Sequence, residues 1–312
     1  VGYGCWVDEH GRVLDDGTIT CFDAQHYRVT SADPSWAWLQ RHSAPYDVTI
    51  TDVSADYGAL ALQGPQARAI LGEVMDGGDV GGLGFFRATS GQIAGVPVDV
   101  TRTGYTGDLG YEIWVPRHGA GPVYDAVLEA GRPRGLLPFG LDALDVLRIE
   151  AGFILLGVDY FSARRCLIRE QTSSQYELGL GWTVQLKRDP FLGQAALRQA
   201  KADGTPWRLV GLQLDWEELE AHYDAWGLPP HVAAGASRAA VPLYAGRKQV
   251  GQATSTTWSP LLKTLLAIGS VHTEHAAVGT RLKQEVTVEY ERKTVTATVV
   301  PLPFFNPERK RS

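Results

Sequence analysis

Residues 102–112 read Arg102-Thr103-Gly104-Tyr105-Thr106-Gly107-Asp108-Leu109-Gly110-Tyr111-Glu112. The flanking segments 92–101 and 111–115 are predicted as β-strands, so the glycines lie in the turn between two strands. Glycine lets a backbone turn tightly and approach a ligand closely. The stretch therefore predicts a strand-turn-strand unit whose turn can form one wall of a binding site.

The side chains of this stretch favour a flat ligand. Tyr105 and Tyr111 supply aromatic surfaces, and Glu112 places a carboxylate on the strand that follows the turn. A carboxylate can accept two parallel N–H bonds from the edge of an aminopyrimidinone ring, and such charge-assisted pairs are stronger than neutral hydrogen bonds. The pattern is typical of a site for a planar nitrogen heterocycle. A purely structural interpretation, a hairpin with packed tyrosines and a surface glutamate, accounts for the same residues.

A second candidate is the pair Asp15-Asp16, which lies between a turn at Gly11 and a predicted strand over 17–22. Adjacent acids at such a junction usually form turns. Because side chains alternate along a strand, at most one of the two is expected to point inward. If that one is Asp16, its carboxylate can stabilise a cationic intermediate.

A predicted helix over 141–151 has mainly structural features. Leu141, Leu144 and Ile149 recur at helical spacing. Asp145 and Arg148 form an i,i+3 pair, which on a helix surface contributes only about 0.2–0.5 kcal/mol.

The amino-acid composition excludes several classes of protein. The chain has 312 residues, 44% of them hydrophobic, with 9 Trp, 12 Tyr and 9 Phe, so it folds and is long enough for two domains. The net charge of −6 provides no positive field, and we expect no nucleic-acid partner. Since no apolar run approaches the roughly 18 residues of a membrane-spanning helix, we expect no membrane partner either.

The cysteines and the first residues of the chain bear on the cellular location and on the length of the protein. Cys5, Cys21 and Cys166 match neither a disulfide framework nor a zinc site, so no metal is expected. No secretory signal is visible, and a reducing, cytoplasmic location fits best. The chain opens at Val1 inside an apparent strand, predicted over 3–7, and we expect the chain to be part of a longer protein.

The pattern of predicted secondary structure changes once along the chain. Residues 1–204 mix strands and helices without regular βαβ alternation, which predicts an α+β fold. Residues 205–312 carry short strands separated by turns, which predicts a small all-β barrel. We therefore expect a domain boundary near residue 205.

Taken in order, several segments resemble the glycine-cleavage T-protein (aminomethyltransferase) family of tetrahydrofolate-dependent one-carbon transferases. The matching segments are 11–16, 60–67, 102–107 leading into 111–112, 147–152 and 178–184. Each motif is weak alone, whereas five in the order of the family are specific. The resemblance implies a folate-binding aminomethyltransferase-like fold with a C-terminal barrel domain.

The resemblance also implies roles for individual residues and tetrahydrofolate as cofactor. Asp16 corresponds to the catalytic carboxylate beside the folate nitrogens that take up the one-carbon unit. The residues implied in folate binding are Tyr105 and Glu112 at the pterin, Trp182 as a further wall, Arg102 at the start of the glycine stretch, and Ser31, which stands where the family has an asparagine.

Departures from the family pattern bear on the one-carbon donor. Leu144 replaces an arginine, and Arg164, Arg165 and Arg169 lie in a segment that is usually acidic. These differences favour a small N- or O-methylated donor of a methyl or methylene group over the aminomethyl group of a lipoyl carrier protein, which remains the less favoured partner. The role of the three arginines stays open.

Two alternatives compete with a one-carbon transferase. One is a non-catalytic folate-binding protein of the iron–sulfur assembly type, although Cys166 lacks the flanking glycines of that group's motif. The other is the C-terminal folate module of a larger flavoprotein that oxidises methylamines. The sequence contains no P-loop, dinucleotide-binding, zincin or nucleophile-elbow motif, which disfavours those chemistries within these residues.

Overall fold

The computed structural model describes residues 1–33 and 35–312, which divide into two compact units. The first unit comprises Val1–Gly4, Gly17–Phe139 and Asn306–Ser312, and the second comprises Cys5–Asp16 and Gly140–Phe305. The boundary near residue 205 stays a prediction. Within the described ranges, no helix combines the length and the hydropathy that a membrane crossing requires.

Up to residue 139 the chain is rich in strands. In chain order, its strands and α-helices are β1 (Gly2–Val7), β2 (Val13–Cys21), β3 (Tyr27–Val29), α1 (Trp36–Ser43), β4 (Tyr57–Gln63), α2 (Ala67–Val74), β5 (Met75–Asp76), β6 (Ala88–Ile93), β7 (Val96–Thr101), β8 (Gly110–Pro116) and α3 (Ala120–Gly131). Strands β1, β2 and β3 form one small sheet, and the larger sheet has the order β4-β8-β7-β6-β5 with antiparallel neighbours.

The larger sheet is apolar on the face that packs against α2 and α3. Alternate residues of β8, namely Tyr111, Ile113 and Val115, are fully buried there, together with Ile70 and Val123 from the helices. Because side chains alternate along a strand, the residues between them lie on the opposite face. Glu112 therefore lies on the face away from this core.

The second unit contains a closed barrel. From residue 140 the elements are α4 (Leu141–Glu150), α5 (Gln194–Asp203), β9 (Trp207–Leu214), α6 (Trp216–Asp224), β10 (Val241–Ala245), β11 (Lys248–Ser259), β12 (Thr264–His272), β13 (Arg281–Val288) and β14 (Glu291–Val300). The barrel order is β10-β11-β12-β9-β14-β13. Closure removes exposed strand edges. The predicted α+β fold with a C-terminal all-β barrel is confirmed.

A buried ionic network joins α4 to the barrel. The side chain of Arg148 is 1% exposed, and its guanidinium donates to Asp145 (2.7 Å), Asp159 (2.6 Å) and the Ser255 hydroxyl (2.7 Å). Asp159 also accepts the hydroxyls of Thr254 (2.5 Å) and Ser255 (2.7 Å). The pair that the sequence presents as a simple helix contact is thus part of a network deep in the second unit.

A register shift in β11 makes this network possible. The pairing of β11 with β12 shifts between Ala253 and Ser255, so Thr254 lies at an irregularity of the ladder. In a regular strand, Thr254 and Ser255 would point to opposite faces. A β-bulge re-aims side chains, and here both hydroxyls reach the same oxygen of Asp159.

We expect Arg148→Ala to lower the free energy of unfolding by about 3–5 kcal/mol, because it leaves Asp159 buried without its cationic partner. Arg238→Ala is the matched control, since Arg238 contacts Asp145 at 2.7 Å but is 53% exposed. Its loss should cost at most about 1 kcal/mol. Urea unfolding measures both values, and equal losses in the two variants would contradict a dominant role for the buried network.

Candidate functional site

Two hydroxyl groups orient the carboxylate of Glu112. Glu112 pairs across the sheet with Ala61 of β4 and Thr101 of β7. Its Oε2 accepts the hydroxyl of Thr103 at 2.5 Å and that of Thr101 at 3.4 Å, and the two hydroxyls lie 2.7 Å apart. These donors are neutral, so they direct the carboxylate without cancelling its charge.

The half-buried position of Glu112 suits ligand binding. Among the described residues, none donates a hydrogen bond to its Oε1, while Oε2 is held by the threonine hydroxyls. An oriented carboxylate with one oxygen available can receive an N–H group at little entropic cost. Tyr111, in contrast, is fully buried in the core. Of the two tyrosines of the glycine stretch, only Tyr105 is partly exposed.

The turn before Glu112 is shaped by Gln63, the last residue of β4. A Cβ atom at Gly104 or at Gly110 would collide with the Gln63 amide group. That amide donates to the carbonyl of Tyr111 at 3.2 Å and accepts the Thr106 hydroxyl at 2.9 Å. Two of the three glycines therefore make room for a side chain of the protein itself, a reason that the sequence analysis missed.

The third glycine, Gly107, is required by the backbone conformation of the turn. Gly107 has a φ of 76°, a left-handed conformation that favours glycine. Tyr105 lies between Gly104 and Gly107 and is half-buried. Its predicted place beside a flat ligand stays a prediction.

Arg102 lies in a different environment from its neighbours in the stretch. It is buried, and its guanidinium donates to the carbonyl of Leu83 at 2.9 Å, to that of Lys310 at 3.3 Å and to that of Ser312. Desolvation by burial lowers the pKa of Arg102. These contacts organise the backbone of its own unit, and a role in ligand binding stays a prediction.

Ser31 follows β3 and is exposed. Its hydroxyl donates to the carbonyl of Asp33 at 3.0 Å. This local turn contact gives a structural reason for a small polar residue at this position, and its predicted ligand role is not tested by the geometry.

In the second unit, Asp16 lies in a cluster of polar groups. Asp15 is fully buried, whereas Asp16 is half-buried and accepts the hydroxyl of Tyr160 at Oδ1. The amide of Asp16 donates to the Asp15 carboxylate at 2.8 Å. Asp15 is therefore the more deeply buried acid, and Asp16 is the acid with access to solvent.

The neighbours of Asp16 are held in their neutral forms. Burial, and then the negative charge of Asp16, raise the pKa of Tyr160. The same two causes, in the same order, raise the pKa of Cys5 to about 12. At neutral pH, Tyr160 is thus a hydrogen-bond donor and Cys5 a thiol. Sequence reasoning did not find Tyr160, because 144 positions separate it from Asp16.

Trp182 lies in the same unit as Asp16, within the single 3-10 turn Gly181–Thr183. Its side chain is 65% exposed. The turn is closed by Thr183, whose hydroxyl donates to the carbonyl of Leu180 at 2.7 Å and accepts from Gln175 at 3.1 Å. The structure thus presents the indole on a fixed turn, and its role as a wall of the folate site stays a prediction.

The segment with the three arginines offers no reactive thiol. Burial raises the pKa of Cys166, and its Sγ donates to the carbonyls of Ser162 (3.3 Å) and Gln171 (3.4 Å). A thiol with a raised pKa is a poor nucleophile. Nothing here favours the iron–sulfur assembly alternative. The three arginines of this segment, Arg164, Arg165 and Arg169, are all exposed.

Comparison with known proteins gives matches along nearly the whole chain. Residues 1–188 match the model of the GCVT N-terminal domain, and residues 208–306 match the glycine cleavage T-protein C-terminal barrel domain. An aminomethyltransferase of Geobacillus thermodenitrificans is 35% identical over 311 residues, which cover 98% of this chain and 76% of that protein.

Two further proteins are similar in sequence or fold. A trimethylamine-oxide aldolase of Ruegeria pomeroyi is 35% identical over 328 residues, covering 100% of this chain but only 37% of the aldolase. The chain therefore spans little more than a third of that relative. The crystal structure of glycine cleavage system aminomethyltransferase T from Bartonella henselae has a TM-score of 0.78 at 24% identity, covering 97% of this chain and 75% of that one, which supports the fold.

Gly110→Ala should lower the free energy of unfolding by about 1–3 kcal/mol, because the new methyl group forces Gln63 from its place. Gly121→Ala is the matched control: it lies in α3, and no described atom is within 4 Å of its added Cβ. There we expect no loss, or a gain of up to about 1 kcal/mol. Thermal and urea unfolding of both variants provide the test, and a Gly110→Ala protein as stable as the wild type would refute the role given to Gln63.

Proposed function

Because the chain belongs to the glycine cleavage T-protein family, we propose that it transfers a one-carbon group from a small donor to tetrahydrofolate. The observation that carries the proposal is the orientation of Glu112 by the hydroxyls of Thr101 and Thr103. An aminopyrimidinone edge has two adjacent N–H donors, and an oriented carboxylate is the complementary acceptor. Oε1 of Glu112 is thus available as an acceptor for an N–H group of a pterin, while Oε2 accepts the threonine hydroxyls.

The proposal gives the other predicted residues separate tasks. Tyr105 offers an aromatic face to the pterin ring, and Trp182 is an additional wall for the cofactor. Tetrahydrofolate supplies a nucleophilic nitrogen that accepts the one-carbon unit. Glu112 binds the ring and orients it, which lowers the entropic part of the barrier.

Asp16 supplies the charge in this mechanism. When the bond between the donor carbon and its heteroatom breaks, the heteroatom leaves with the electron pair, and positive charge builds up on the carbon and on the attacking nitrogen. The carboxylate of Asp16 offsets that charge, and it acts best when it is already oriented before the reaction. The Tyr160 hydroxyl provides such an orientation.

For the donor we propose a small N- or O-methylated molecule. Leu144 is half-buried on α4, in the place of the arginine that the family resemblance leads one to expect. The similarity to a protein named trimethylamine-oxide aldolase makes trimethylamine N-oxide the first compound to test. In trimethylamine N-oxide the nitrogen–oxygen bond breaks and one methyl group loses a proton, so the oxygen leaves as water and the methyl carbon is oxidised to a methylene group. The folate nitrogens take up this methylene group and release dimethylamine. The N-oxide oxygen is itself the oxidant, so no external oxidant is needed. The aminomethyl group of a lipoyl carrier protein is the second donor to test, because other relatives are named aminomethyltransferases.

We expect Glu112→Gln to weaken tetrahydrofolate binding about 10-fold to 100-fold, since it removes the charge from hydrogen bonds of about 1.5–3 kcal/mol. Glu129→Gln on the exposed side of α3 is the control and should bind as the wild type does. Titration calorimetry under anaerobic conditions measures both dissociation constants. Absence of tetrahydrofolate binding by the wild-type chain would contradict the proposed function, and equal affinities in the two variants would contradict the role of Glu112.

Asp16→Asn should keep tetrahydrofolate affinity within about threefold while lowering turnover about 100-fold or more, the range seen when a preorganised electrostatic group is lost. The assay supplies tetrahydrofolate with trimethylamine N-oxide, or with an aminomethylated lipoyl carrier, and quantifies 5-methyl- and 5,10-methylenetetrahydrofolate by chromatography. Asp23→Asn, an exposed acid beyond β2, is the control. Turnover that survives in Asp16→Asn would remove Asp16 from the mechanism.

A further inference from the structure

The hydroxyl of Tyr160 donates a hydrogen bond to Oδ1 of Asp16, and both residues belong to the second unit. The side chain of Tyr160 is 2% exposed and packs in an apolar cluster with Val7, Val13 and Leu178. The hydroxyl of a buried tyrosine usually has a hydrogen-bond partner. Here the partner is the carboxylate to which the proposed mechanism assigns the decisive charge.

The backbone around Tyr160 is held in place independently of Asp16. The carbonyl of Tyr160 accepts the amide of Gly157 at 2.7 Å, and Leu156 forms an isolated parallel bridge with it. The preceding residue, Asp159, is fixed by Arg148 at 2.6 Å and by the amide of Leu155 at 2.9 Å. The tyrosine ring therefore approaches Asp16 from a rigid support.

In the hydrogen bond between Tyr160 and Asp16, the tyrosine is the donor and the carboxylate is the acceptor. A tyrosine that stays protonated can only donate to a carboxylate, and a neutral donor fixes the rotamer of Asp16 while leaving the negative charge in place. An arginine or lysine in the same position would fix the carboxylate but would also neutralise it. For a group that must offset positive charge, the neutral donor is the better support.

On these grounds, and resting on the function proposed above, we propose that Tyr160 is a positioning residue for one-carbon transfer, acting by holding the carboxylate of Asp16. It touches neither donor nor folate in this role. Its contribution follows from the contact with Asp16 and from the rigid support that Asp159 provides.

Four variants test this inference: Tyr160→Phe, Asp16→Asn, the double variant, and Tyr176→Phe as the matched control. The Tyr176 hydroxyl is buried, and no described residue forms a hydrogen bond with it, so its removal deletes a hydroxyl without deleting such a contact. A double-mutant cycle on urea unfolding measures the coupling between residues 160 and 16 without any assay of activity. Steady-state kinetics with tetrahydrofolate and trimethylamine N-oxide, or with the lipoyl carrier donor, measures kcat and KM.

We expect a non-zero coupling free energy for the pair, and a kcat about tenfold or more lower in Tyr160→Phe, as for the loss of a hydrogen bond to a charged group. The KM for tetrahydrofolate should stay within about twofold, and Tyr176→Phe should match the wild type in kcat, since its hydroxyl supports no catalytic group. A merely structural tyrosine would lower stability but would not separate kcat from KM.

The outcomes separate the two proposals. Zero coupling, or an unchanged kcat in Tyr160→Phe with an active wild type, overturns the role of Tyr160 and leaves the proposed function intact. A wild-type chain that forms no folate product with either donor overturns the proposed function and with it this role, even if residues 160 and 16 are coupled in unfolding.

Discussion

The buried guanidinium of Arg148, held between Asp145 and Asp159, is the interaction on which the organisation of the second unit depends. Burying a charge is costly unless every polar atom around it is satisfied. The network meets that demand with two carboxylates from α4 and the segment after it, and with hydroxyls from a shifted position in β11. The same network therefore fixes the helix, the barrel strand and the backbone that carries Tyr160.

In the second unit this network supports the carboxylate of Asp16 through Asp159 and Tyr160. Asp159 fixes the segment that ends in Tyr160, and Tyr160 holds one oxygen of Asp16. In the first unit, Gln63 shapes the turn that ends at Glu112, and threonine hydroxyls hold one oxygen of Glu112. In both units a hydroxyl group directs a carboxylate that the proposed function uses. Neutral donors suit that purpose because they orient a charge without offsetting it.

The glycine stretch, residues 102–112, illustrates how the reason inferred for a sequence pattern can be incomplete. Its glycines were interpreted as space for a ligand, and the turn does lead into a half-buried, oriented Glu112. Yet Gly104 and Gly110 are glycines because the Gln63 amide occupies the space that their side chains would fill. The composition of a turn reveals that space is needed, and only the fold reveals what fills it.

The sequence by itself determined the α+β class, the C-terminal barrel and the family, because these follow from periodicity and from motifs of neighbouring residues. Only the tertiary structure decided that Asp15 is the more buried acid, that Arg148 reaches β11, and that Tyr160 contacts Asp16. Those contacts join residues about a hundred or more positions apart, and such pairs leave no local pattern in the chain. Their energies depend on burial, which the fold as a whole creates.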